Sequence, residues 1–171
     1  RPINQPSDLA GLKIRVPEIP VTISIFKNLG ANATPLPFGE VYMALQQKTV
    51  DGQENPYTNI YASKLYEVQK YLSQTKHQYS PLPLAISEEL PQEYQDIVQN
   101  AANGARDYHR SLIKQDDEAL VSELESEGVT INSVADVEPF RQAVEPVYVE
   151  FEDTFGRDLI EKLKDAAAEA R

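Results

Sequence analysis

Apolar and polar positions alternate over Leu12-Lys13-Ile14-Arg15-Val16, the period-two pattern of a half-buried strand. Pro17 and Pro20 end it, and Val21 to Leu29 reads as a short helix stopped by Gly30 at the C′ position. Ala33 to Phe38 predicts a second strand, which Pro35 and Pro37 confine to an edge or to irregular pairing because neither has an N–H to donate. A helix follows from Glu40 to about Lys48, with Val41, Tyr42 and Leu45 as its apolar stripe. Thr49 to Gly52 predicts a very short strand and Gln53 to Pro56 a turn; Thr58 then caps a helix running through Ala62 and Leu65 towards Val68. Ahead of all this, Arg1 to Asp8 reads as a loop. Strand and helix alternate three times, which predicts an α/β chain with a parallel sheet flanked by helices.

The second half follows a different period. Tyr71 to Ser87 reads as extended, interrupted at Pro81 and Pro83. Glu88 to Glu93 opens a long helix in which Tyr94, Ile97, Val98, Ala101, Ala105, Tyr108 and Leu112 recur at helical spacing. The pattern continues through Leu120, Val121 and Leu124 to Gly128, a length that predicts a kink near Gly104 or a helix shared between lobes. Val129 to Ile131 predicts a short strand; Pro139 to Tyr148 and Glu150 to Ala170 predict helices, the second broken at Gly156.

Composition narrows the function more than the fold. A length of 171 residues suits one domain or two small lobes. The net charge of −11 leaves no basic footprint for nucleic acid, although one buried arginine can still set the local potential of a cleft for an anion. No apolar run approaches the roughly 18–20 residues that cross a bilayer. Cysteine is absent, which removes disulfides, thiolate catalysis and cysteine-rich zinc sites. The chain opens on Arg1 with no signal peptide, and so reads as a processed or partial chain. There is no Gly-rich phosphate loop, nucleophile elbow or paired-histidine metal motif, and no cofactor is expected.

Three side chains stand at the carboxyl ends of three successive predicted strands: Arg15, Phe38 and Asn55. In an open parallel sheet that is where ligands bind. Arg15 offers a planar fork of donors to a carboxylate, or it is a solvated or internally paired arginine. Phe38 is a flat wall for a ligand, or a core aromatic. Asn55 is an amide for ligand contact, or a turn residue bonded to its own backbone. Glu18 and Glu54 are acceptors for hydroxyl groups or surface carboxylates, and His77 is part of a polar network or a structural histidine. His109 has no assigned role.

Four ordered blocks sharpen this set: Gly11-Leu12-Lys13-Ile14-Arg15-Val16-Pro17, Leu29-Gly30-Ala31-Asn32-Ala33-Thr34-Pro35, Pro37-Phe38-Gly39-Glu40-Val41-Tyr42 and Val50-Asp51-Gly52-Gln53-Glu54-Asn55-Pro56, followed by Tyr66-Glu67-Val68-Gln69-Lys70. Together they resemble the solute-binding proteins of tripartite ATP-independent periplasmic (TRAP) transporters, in the branch of dicarboxylate, sialic-acid and sugar-acid binders. The likeness runs from about Pro6 to the end of the chain. It implies a periplasmic, non-enzymatic protein of two α/β lobes that close on a small organic acid and deliver it to TRAP permease subunits.

By resemblance Arg15 pairs with the ligand carboxylate, Asn55 hydrogen-bonds it and Phe38 packs on it. Glu54 and His77 fall where the sialic-acid branch has a glutamate and a histidine in a polar network. Glu18 departs from that branch, which has an asparagine there; a carboxylate favours a polyhydroxylated sugar acid over sialic acid or a C4-dicarboxylate. The resemblance also implies that residues 1–80 are the second ligand-binding lobe and residues 81–171 a crossover segment with helices that pack against both lobes. The amino-terminal lobe is then a missing partner of this chain. Two other readings stand beside it: a small α/β enzyme using Glu54 and His77 as acid and base, and a helical interaction protein with a vestigial pocket.

Overall fold

The computed structural model describes residues 1–79 and 81–169. A 3-10 turn at Pro6–Leu9 tightens the end of the expected amino-terminal loop and buries Leu9. The chain then forms β1 (Lys13–Val16), α1 (Pro20–Asn28), β2 (Asn32–Pro35), a 3-10 turn at Phe38–Glu40, α2 (Val41–Gln46), β3 (Gly52–Gln53) and α3 (Tyr57–Ala62). A further 3-10 turn at Leu65–Glu67 leads to β4 (Tyr71–Gln74), α4 (Gln92–Ser126), β5 (Thr130–Ser133), α5 (Glu138–Glu150), α6 (Glu152–Phe155) and α7 (Arg157–Glu169).

The expected parallel sheet is present. Its order is β2-β1-β3, with Arg15 opposite Thr34 on one side and Gln53 on the other. A second parallel pair joins β4 to β5. β2 is an edge, as its prolines allow: Asn32 and Leu36 donate to the Leu12 and Val16 carbonyls, so Pro35 and Pro37 occupy alternate positions that face away from β1.

Two apolar clusters hold the sheet. One gathers Val41, Ala44, Leu45, Val50, Ile60 and Leu65 with Leu124 of α4 and Val129. The other joins Leu9, Ile14, Val16, Phe26, Leu29 and Ala31 to Phe140 of α5. The carboxy-terminal helices thus supply core residues to the strand-helix repeats.

Several local expectations are corrected. Thr58 does not cap α3, because Pro56 takes the cap position and pre-sets the entry. The helix does not run on to Val68 either; Lys64 turns left-handed (φ 52°) and breaks it. β2 stops at Pro35, so Phe38 opens a 3-10 turn instead of ending a strand. α4 begins at Gln92, with Pro91 as cap, and is assigned as one helix of 35 residues through Gly104. The extended stretch 71–87 is a strand only at Tyr71–Gln74, and its Ser80 lies outside the described residues. The break at Gly156 is present (φ 84°), while Ala170 of the last expected helix lies outside the described residues.

Both α1 and α4 end in the same six-residue closure. Ala31 N–H reaches the Phe26 carbonyl around Gly30 (φ 88°), and Val129 N–H reaches the Leu124 carbonyl around Gly128 (φ 86°). A Cβ on Gly30 would meet only the Ala10 Cα at 3.8 Å, so space is adequate and backbone conformation is the obstacle. Gly30→Ala is therefore expected to destabilise the chain by about 1–2 kcal/mol, read as a lowered urea midpoint at unchanged slope. No change in midpoint would show that the left-handed turn relaxes freely.

Candidate ligand-binding site

Arg15 is the penultimate residue of the central strand and is buried, with 3% of its surface exposed. Its Nε and Nη2 both donate to the Leu36 carbonyl, at 2.9 and 2.6 Å. The Phe38 ring lies beside it, 5.8 Å from guanidinium carbon to ring centroid, in cation–π range. Burial lowers the guanidinium pKa, and the Glu54 and Glu18 carboxylates oppose that shift. Arg15 thus stays cationic, acted on by two acidic side chains and within reach of an aromatic ring that is 44% exposed.

The loop after β3 supplies the amides. Asn55 Nδ2 donates to Gln53 Oε1 (2.5 Å), and Asn55 Oδ1 accepts from Asn59 Nδ2 (3.1 Å). The side chain is held by other side chains and not by its own turn backbone. Among the described residues, one of its two amide hydrogens has no partner.

His77 reaches Glu54 from the segment after β4, with Nε2 3.3 Å from Glu54 Oε2. Its Nδ1 is 2.7 Å from Thr75 Oγ1, and its ring meets Phe26 edge to face at 5.4 Å. The acid, the imidazole and the cation therefore form one neighbourhood: Glu54 contacts His77 and acts electrostatically on Arg15. Pattern reading missed Thr75, Gln53, Asn59 and Phe26 as supports. Of these only Asn59, at helical spacing from Asn55, had a visible signal.

A groove of about 790 Å³ opens between the two sheets, with residues 51–57 on one wall and residues 69–79 on the other. Glu54, Asn55 and His77 line it, whereas Arg15, Glu18 and Phe38 do not. The site therefore has two parts: a cationic-aromatic corner at the strand ends and a polar wall on the groove beside it. Among the described residues, no helix is long and apolar enough to cross a membrane.

The family model for bacterial extracellular solute-binding protein, family 7 (DctP), matches residues 1–154. The chain belongs to this family of TRAP solute-binding proteins. It is 41% identical over 167 residues to the sialic acid-binding periplasmic protein SiaP of Vibrio cholerae, covering 95% of this chain and 52% of that protein. A TRAP periplasmic solute-binding protein from Polaromonas sp. JS666, solved with D-erythronate, superposes with a TM-score of 0.86 at 41% identity, over 95% of this chain and 55% of that one. A third, from Xanthobacter autotrophicus Py2 with bound β-D-galacturonate, gives a TM-score of 0.87 at 35% identity, over 96% and 57%. The family chain here thus spans about half the length of the relatives it matches. Its α/β fold with parallel sheets is theirs.

Proposed function

We propose that this chain is the ligand-gripping half of a periplasmic TRAP solute-binding protein that takes up a sugar acid for its permease subunits. The observation that carries this reading is Arg15: a buried cation at the carboxyl end of the central strand, with part of its donor fork still free. Phe38 walls the ligand and Asn55 adds its remaining amide hydrogen. Glu18 and Glu54 accept from ligand hydroxyls, with His77 holding Glu54 in place.

Residues 1–80 are the second ligand-binding lobe, and residues 81–171 are the crossover segment and the helices that pack against both lobes. An amino-terminal lobe closes over the cleft and the groove. The exposed apolar side chains of Leu82, Leu84, Tyr94, Ile97 and Tyr108 support that reading, since they need a cover. Closure on the acid then creates the surface that the permease recognises.

The choice of a sugar acid rests on charge. Two carboxylates, Glu18 and Glu54, already act on Arg15, so a second ligand carboxylate meets repulsion while hydroxyls find acceptors. The relatives solved with D-erythronate and galacturonate support this class. The Glu54–His77 contact that an acid/base enzyme would use is equally a brace for Glu54, and the family consists of solute-binding proteins.

A thermal-shift panel of aldonates, uronates and C4-dicarboxylates on the complete protein tests the reading. Stabilisation by at least one hydroxylated monoacid is expected; an entirely flat panel would refute it. Glu18→Gln is expected to improve dicarboxylate affinity relative to the sugar acid by about threefold to tenfold, because one of the two repelling charges is gone. An unchanged ratio in calorimetry would remove Glu18 from ligand selection.

A further inference from the structure

The Pro35-Leu36-Pro37 segment has a chemical property that its place on the edge strand explains. Leu36 N–H donates to the Val16 carbonyl (3.2 Å), extending the parallel ladder one step beyond β2. In such a ladder the Leu36 carbonyl would next accept from the N–H of residue 18. β1 ends at Val16, however, and the guanidinium of Arg15 supplies the donors in its place. Proline on both sides fixes that carbonyl: each ring sets its own φ, and Pro37 confines Leu36 to extended backbone. The peptide between Leu36 and Pro37 has no N–H, so its carbonyl is its only polar group.

A guanidinium has five N–H donors in a rigid plane. Leu36 takes the Nε–H and one Nη2–H. The remaining parallel pair is the Nη1/Nη2 end; the guanidinium carbon lies 5.8 Å from the Phe38 ring centroid, and the Glu54 and Glu18 carboxylates act on the cation electrostatically. We propose that the Leu36 carbonyl, locked between Pro35 and Pro37, is the positioning group of the site: it holds the Nε/Nη2 edge of Arg15 and leaves the Nη1/Nη2 edge as the face on which a ligand carboxylate pairs. This rests on the reading that Arg15 receives the carboxylate. Leu36 touches no ligand; it acts through Arg15 by removing the alternative side-on edge and fixing the plane of the fork.

The test uses the complete protein with ¹⁵N-labelled arginine and ¹³C-labelled leucine carbonyls, and D-erythronate and D-galacturonate as probes. In the free protein, Arg15 Nε–H is expected to exchange slowly and to show a coupling across the hydrogen bond to the Leu36 carbonyl carbon. On addition of a binding acid the Nη signals shift and the Nε signal keeps its coupling. Pro37→Gly is expected to speed Nε–H exchange and to weaken binding by about tenfold. In an Arg15→Lys background, the same Pro37→Gly change is expected to cost no further affinity, which a general loosening of the loop would not reproduce.

An Nε–H that exchanges freely in the unliganded protein overturns the proposal whether or not an acid binds. Loss of the Leu36 coupling on acid binding overturns it too, because the acid then takes the side-on edge, while the pairing of Arg15 with a carboxylate survives. If neither acid binds, the same readouts are taken with a monoacid that stabilises the protein in the thermal-shift panel; if that panel is flat, the ligand face falls together with the proposed function, and the intact Nε coupling shows that the failure lies in that function and not in the positioning.

Discussion

Arg15→Lys in the complete protein is expected to weaken binding of a responding sugar acid by well over tenfold, with the fold retained. The guanidinium donates to the Leu36 carbonyl through Nε and Nη2, and on the proposed reading its Nη1/Nη2 pair meets the ligand. An ammonium is a point donor on a flexible stem and cannot satisfy a fixed carbonyl and both oxygens of a carboxylate in these directions. Loss of one charge-assisted hydrogen bond is worth roughly 1.5–3 kcal/mol, which at about 1.4 kcal/mol per decade is tenfold to a hundredfold in affinity. Glu54 and Glu18 remain beside a less well-placed cation, so the deficit is not recovered locally. Isothermal calorimetry on both proteins, with a urea midpoint as control for folding, checks this. Affinity within about twofold of the parent would take the carboxylate away from Arg15 and with it the proposed function.

How the sequence foretold this corner, and where it did not, follows from the range of the forces involved. The strand over Leu12–Val16 is legible in its alternation of apolar and basic residues, but the half-exposure that this period implies is not found, since Ile14, Arg15 and Val16 are buried in succession on both faces; the end of α1 is legible because a left-handed residue calls for glycine. Proline chemistry limits β2 to an edge or to irregular pairing, and the strand takes the edge. Strand order alone groups Arg15 and Phe38 with Asn55 at successive strand ends, whereas Glu54 and His77 are read singly; each has an ordinary structural reading beside it. The ordered family blocks join Glu54 and His77 to that group. The structure then placed Phe38 beside Arg15 and His77 against Glu54.

The misses have a common cause. The Leu36 carbonyl carries no side-chain signal, and Thr75 and Phe26 meet His77 only after β4 and α1 are placed by tertiary packing. Thr58 looked like a cap because propensity favours a hydroxyl there, yet Pro56 two residues earlier had already fixed the helix entry.

The long helix α4 supports the second large prediction. Leu124, in its last turn, is fully buried (0% exposed) in the cluster formed by Val41, Ala44, Leu45, Val50, Ile60 and Leu65. It belongs to a helix whose middle is largely exposed, so this turn is where α4 is secured to the strand-helix repeats. Leu124→Ala removes the side chain from a site closed on all sides by other elements, and Leu65 and Val50, themselves 1% exposed, cannot shift to fill it without disturbing α3 and β3. The expected loss is about 3–4 kcal/mol, the transfer term plus an unrelaxed cavity. Against a total stability of roughly 5–15 kcal/mol that is a large share of the margin. Urea unfolding should show a markedly lower midpoint at unchanged slope. Leu112→Ala, higher on the same helix and 36% exposed, should move it far less. Equal effects from the two substitutions would mean that α4 is held along its length by intrinsic helicity and not by its anchor at Leu124.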